Sequence, residues 1–145
     1  GEPLVPRSEP RPPRMIIVED LKGVLPDGFG DLKGVLVRKE AGLIDADHSL
    51  KLRIANATHT CLVYLMALSG LGDTMMFSSM PCLKTFLDCL FYRDIARALA
   101  LEAEEAKQGG LPGVDPKEAE YVYQDWVGRL SHPQFGLSCF FISQN

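Results

Sequence analysis

Several absences narrow the chain before any motif does. The apolar run from Cys61 to Leu68 is short, and a membrane-crossing helix needs roughly 20 such residues. No signal or transmembrane segment is visible, so a soluble, cytoplasmic protein is expected. No G-x-G-x-x-G follows a strand-like run and no Walker pattern occurs, so these residues supply no phosphate-cradling loop. Cysteine is sparse: Cys61, Cys82, Cys89 and Cys139 form no Cys-x-x-Cys pair and read as reduced, mostly buried thiols. His48, His59 and His132 stand at no zinc-ligand spacing from them, and a metal site is not expected. Basic charge is not in excess either, with 15 Lys and Arg against 19 Asp and Glu. With no basic patch interleaved with aromatics, nucleic acid is not an expected partner.

What is present fits one ordinary domain of 145 residues, 46% hydrophobic and 23% charged, enough for a real core. Residues 1–13 are proline-rich and read as a linker or extended N-terminus. Leu4-Val5-Pro6-Arg7-Ser8 resembles a protease-cleavage linker, whereas Ser8 onward reads as native sequence. Residues 14–145 form the domain.

Met15 to Val18 and Val35 to Arg38 are β-branched runs and predict short strands. Between them Asp20-Leu21-Lys22-Gly23-Val24-Leu25 recurs as Asp31-Leu32-Lys33-Gly34-Val35-Leu36, suggesting a strand-turn-strand unit. Leu50 to Leu68 carries no Gly or Pro and predicts a helix, with Asp45, Asp47 and Ser49 as candidate N-caps and Gly70 as its C′ residue. A short helix is expected over Thr74 to Ser79. From Pro81 the spacing of Leu83, Phe86, Leu87, Leu90, Phe91, Ile95, Ala98 and Leu99 is helical, with a break expected near Tyr92-Arg93-Asp94 and a stop at Gly109-Gly110. Glu102, Glu104 and Glu105 read as a solvated face. Asp115, Pro116 and Glu118 form a capping signature ahead of the stripe Tyr121, Val122, Trp126, Val127 and Leu130, closed by Ser131-His132-Pro133. The fold class is therefore mainly α, with two or three short strands near the N-terminus and no dinucleotide-binding Rossmann domain.

Within the 50–68 helix, Lys51, Asn56 and His59 stand out. On a regular helix at about 100° per residue, Lys51 and Asn56 lie about 140° apart with His59 between them. A lysine in the first turn, partly buried, is pushed toward its neutral form and can serve as a general base. An Asn amide can donate to an oxyanion and an imidazole can bind a hydroxyl. The plain structural alternative is two satisfied core polar groups and one solvated lysine.

The segment Lys51-Leu52-Arg53, two residues, Asn56, two residues, His59, followed by an apolar helix with Tyr64 and the end Ser69-Gly70, resembles the signature of the polyol-specific long-chain dehydrogenases and reductases, the mannitol 2-dehydrogenase family. Glu9-Pro10 before Met15-Ile16-Ile17-Val18-Glu19-Asp20 strengthens the likeness. The resemblance implies a helical substrate and catalytic domain of a metal-independent oxidoreductase using NAD or NADP, with Lys51 as acid/base, Asn56 at the oxyanion and His59 on the substrate. Arg53 joins Asn56 and His59 as a candidate substrate contact. It implies as partners a polyol or sugar-acid substrate and an N-terminal nucleotide-binding domain that would hold most of the cofactor. A hexuronate (fructuronate or tagaturonate) reductase is the alternative within the class, and a non-catalytic helical interaction module the alternative outside it. Two departures stand against the family pattern. His48 replaces an acidic residue three positions before Lys51, and Ser143-Gln144-Asn145 lacks the family's following lysine, as in a truncated domain.

Overall fold

The computed structural model describes residues 16–130, the Met75 side chain excepted. The proline-rich start, Met15, the Ser131-His132-Pro133 stop, Cys139 and the C-terminal Ser-Gln-Asn lie outside the described residues. Two short strands, β1 (Ile16–Glu19) and β2 (Val35–Arg38), pair in parallel, Ile16 opposite Val35 and Glu19 opposite Arg38. The rest is helical, and there is no Rossmann-like sheet among the described residues.

A parallel pair needs a crossover rather than a tight turn, and here loop residues 20–34 with one 3-10 turn, Phe29–Asp31, provide it. The expected strand-turn-strand unit is not formed. Asp20 accepts hydrogen bonds from the backbone amides of Val24 at 2.9 Å and Leu25 at 3.2 Å, curling the first copy of the repeat into a loop. Those amides, Val24's foremost, hold the Asp20 carboxyl below the usual aspartate range. Only Val35 and Leu36 of the second copy enter a strand. Both copies keep one shared property: Gly23 and Gly34 have φ of 65° and 82°, a region that a side chain opposes.

The first helical rod begins earlier than the sequence suggested. Helix α1 (Leu43–Leu50) continues without interruption through a π-helical turn (Lys51–Asn56) into α2 (Ala57–Leu68). Its N-cap is Gly42 with no side-chain cap, so none of Asp45, Asp47 and Ser49 caps it. Asp47 instead accepts two hydrogen bonds from Arg38, at 2.8 and 2.6 Å, and Arg38 also reaches Glu118 at 3.1 Å. That cluster joins β2, α1 and the last helix. A second rod, α3 (Pro81–Cys89), another π turn (Leu90–Ile95) and α4 (Ala96–Gln108), replaces the break expected near Tyr92. A 3-10 turn spans Thr74–Ser79.

The π turns have a reason in the spacing of the core. Leu50, Ile54, Thr58, Leu62 and Met66 are all at most 2% exposed, a strict four-residue stripe. An α-helix overshoots a full turn by about 40° every four residues, so four steps would rotate such a stripe by roughly 160°. A wider i→i+5 turn near the middle removes about one residue's rotation, some 100°, and keeps the stripe on the core. Leu83, Leu87, Phe91, Leu99 and Ala103, also buried, repeat the pattern in the second rod. The two π turns pack on each other.

Helix α5 (Pro116–Leu130) starts as expected, with Lys117 N–H donating to Asp115 Oδ1 at 2.9 Å. Its buried face is Ala119, Tyr123, Trp126, Val127 and Leu130, while Tyr121, expected in the core, is 49% exposed. The Tyr123 ring stacks on Phe91 at 4.1 Å, and its hydroxyl donates to Asp88 at 2.8 Å. Burial, then the Asp88 bond, pushes the Tyr123 phenol up. Cys61 is half-buried and Cys82 and Cys89 are exposed, all as free thiols. The expected burial of the thiols therefore fails where α3 turns two of them outward.

Both rods end in Schellman geometry. Gly70 has φ 71°, and Leu71 N–H donates back to Met66 at 2.8 Å. Gly110 and Leu111 do the same for the second rod. After it, the backbone at Gly113 lies so close to α4 that a Cβ would stand 2.8 Å from the Ala103 Cα and carbonyl oxygen. Overpacking of this kind costs about 1–3 kcal/mol, so Gly113→Ala is expected to lower the unfolding free energy by that much in a denaturant titration. An unchanged midpoint would show that the loop is free to move. No helix among the described residues is long and apolar enough to cross a membrane.

Candidate functional site

The first π turn carries Lys51, Arg53 and Asn56, and His59 follows in the first turn of α2. Ala57 N–H donates five residues back to Leu52 C=O as well as to Ile54 C=O, the widened ladder of a π turn, and the residue that joins Lys51 on its cavity wall is Ala55. Lys51 and Asn56 are exposed and His59 is half-buried. Lys51 is the ninth residue of the rod that begins at Leu43, more than two turns in, whereas the helix dipole acts within about the first turn. The two influences expected on its amine, a helix N-terminus and burial, are thus not present at Lys51 in this chain.

Lys51 lines a cavity of about 210 Å³ with Ile17, Asp47, Tyr121, Asp125 and Arg129 among its walls. Asp125 and Arg129 are paired on α5 at 2.8 Å. Asn56 and His59 are not among the lining residues. His59 faces the same stretch of α5 from one side. Its ring meets Trp126 edge to face, centroids 5.4 Å apart at 81°, and the Arg129 guanidinium lies 5.9 Å over that indole. Lys51 and His59 therefore flank the same stretch of α5, the span from Tyr121 to Arg129.

Arg53 is placed apart. It pairs with Glu102 of α4 at 2.6 Å and lines a different cavity with Asp94, Ala98 and Leu99. The acidic cluster on α4, read as purely solvated, gives up one member to this bridge. No group of three or more His, Cys, Asp or Glu side chains among the described residues is placed to hold a metal ion.

His59 Nε2 is buried and has no hydrogen-bond partner, and burial holds the imidazole below its ordinary value of 6.5. The ring is thus poised as a neutral group with one nitrogen unsatisfied. Because the unfolded chain takes up the proton first, stability is full above about pH 6.5 and falls as pH drops from there through the folded value. His59→Gln is expected to flatten that slope in denaturation measured from pH 7.5 to 5. An unaltered slope would show that His59 is solvated.

Asp125, Arg129 and Thr58 were not singled out from the sequence. The four-residue spacing of Asp125 and Arg129 is visible there, but nothing in it indicates that the pair faces Lys51. No known protein family matches this chain, and neither the curated proteins nor the solved structures contain a significant match to it.

Proposed function

We propose that the chain is the substrate-side helical domain of an NAD(P)-dependent, metal-independent oxidoreductase that interconverts a sugar alcohol and a ketose. What carries this reading is the placement of Lys51: an amine, already suggested as acid/base by the motif, stands at a small cavity whose far wall bears the Asp125–Arg129 pair. The helix that bears this pair also packs against His59.

The described residues hold two strands and no dinucleotide cradle, so the nicotinamide group does not fit here and belongs to another domain. The chemistry of this chain is proton handling and hydroxyl binding. Lys51 takes the proton of the substrate's secondary hydroxyl; the motif assigns the Asn56 amide to the developing oxyanion and the His59 imidazole to a neighbouring hydroxyl, roles that require both side chains to turn toward the cavity that Lys51 lines. A cytoplasmic location agrees with the free thiols of Cys61, Cys82 and Cys89.

A sugar-acid substrate is the second reading, favoured by one observation. Arg129 lines the Lys51 cavity and Arg53 does not, so a substrate carboxylate would meet its cation on α5. Joining the chain to its nucleotide-binding partner domain separates the two. Mannitol, sorbitol and arabinitol are offered with NAD+ and NADP+, and fructuronate and tagaturonate with the reduced cofactors. Turnover of the first group supports a polyol enzyme and of the second a hexuronate reductase. No turnover together with no nicotinamide binding refutes both and leaves the interaction module.

A further inference from the structure

We infer that Thr58 is the positioning residue of this site: its buried hydroxyl holds the π turn that sets the register of α2 and so seats His59 against Trp126. The catalytic meaning of that alignment rests on the function proposed above, but the geometry does not.

Thr58 is fully buried within the four-residue core stripe, where a hydroxyl without a partner would be costly. It donates to Ile54 C=O at 2.5 Å and lies 3.4 Å from Ala55 C=O. Both acceptors belong to the π turn. There the ladder is out of step, because Ala57 N–H has been drawn to Leu52 C=O. The Ile54 carbonyl shares that amide at the short i→i+3 spacing, and the Thr58 hydroxyl is a further donor to it. A side-chain hydroxyl that bonds back to the i−4 carbonyl favours a departure from ideal α geometry. Valine has the same outline without the donor; serine has the donor without the methyl group.

The register matters beyond the turn. Closing the turn to α geometry would rotate the helix beyond it by roughly 100° relative to Lys51, taking His59 off the indole. The neighbouring π turn packs against this one.

Trp126 is the only tryptophan in the sequence, and its contact with His59 makes its fluorescence a gauge of that register. An imidazolium quenches indole emission; the other charged groups at this ring are Arg129, 5.9 Å over it, and Asp125, paired with Arg129. In the unmodified chain, emission is expected to fall on acidification in one step with a midpoint below about 6.5, and His59→Gln removes the step. Thr58→Ser keeps midpoint and amplitude. Thr58→Val loses at least about half the amplitude and moves the midpoint back toward the ordinary histidine value. A Thr58→Val titration identical to the unmodified chain overturns the inference, as does the absence of any His59-dependent step.

Should Thr58→Val not fold, amide exchange in the unmodified chain decides. A protected Ala57 amide supports the i→i+5 bond, and exchange at the rate of an open chain refutes it. None of these readouts needs substrate or cofactor, so an inactive enzyme would sink the proposed function and leave this one standing. If the enzyme is active on mannitol, Thr58→Val lowers kcat more than it changes KM, and Thr58→Ser restores kcat.

Discussion

Arg38→Met is expected to destabilise the fold by about 3–5 kcal/mol, the cost of leaving a buried charge without its partner. The Asp47 side chain is 4% exposed and both its oxygens are held by Arg38, at 2.6 and 2.8 Å, with Glu118 on the same guanidinium. Removing the cation strands one carboxylate inside and sets a second beside it across the β2, α1 and α5 junction. The pair itself is not expected to be worth that much. Replacing both partners, as in Arg38→Met with Asp47→Leu, should recover most of the loss, because apolar packing of similar volume is often as stable as a buried ion pair. Urea denaturation of the two single variants and the double variant at pH 7 measures each contribution. A loss under about 1 kcal/mol for Arg38→Met would show that Asp47 is solvated, as surface pairs are.

Lys51→Ala, in the chain joined to its nucleotide-binding domain, is expected to reduce kcat about a hundredfold or more, the usual contribution of a positioned general base. The fold should hardly notice. Lys51 is exposed, and substitutions at exposed sites usually stay within about 0.5 kcal/mol. Lys51→Arg should not rescue activity, since a guanidinium does not give up its proton in proteins. That separates a base from a cation that merely attracts an anionic substrate. Turnover within about threefold of the parent for Lys51→Ala would remove the general-base role. A rise in KM with kcat unchanged would reassign Lys51 to substrate binding.

The architecture could be read from the chain wherever one local rule decided it. The Asp115-Pro116 start of α5, the Gly70 stop and the helical spacing from Leu83 to Leu99 each follow from capping or periodicity and appear as expected. The misses share a different cause. The start of the first rod at Leu43 was missed because Asp47 reads as a cap locally and is in fact claimed by Arg38, nine residues earlier in the chain. Tyr121 and Tyr123 are equally good core candidates by composition. The stack with Phe91 chooses Tyr123.

The helices that carry the motif, and a mainly helical fold without a Rossmann-like sheet among the described residues, were legible in the amino-acid order alone, because hydrophobic period, caps and glycine stops act within a few residues. That order also contained the sign of the π turns, in the four-residue stripes from Leu50 to Met66 and from Leu83 to Ala103, which no straight α-helix can keep on one core. Which way each motif side chain faces was set by tertiary packing. Arg53 is turned to Glu102, His59 to Trp126, and Lys51 to the cavity beneath Asp125 and Arg129. Those choices depend on how α4 and α5 pack across the first rod, and contacts between segments so far apart in the chain leave no mark on the local spacing of either.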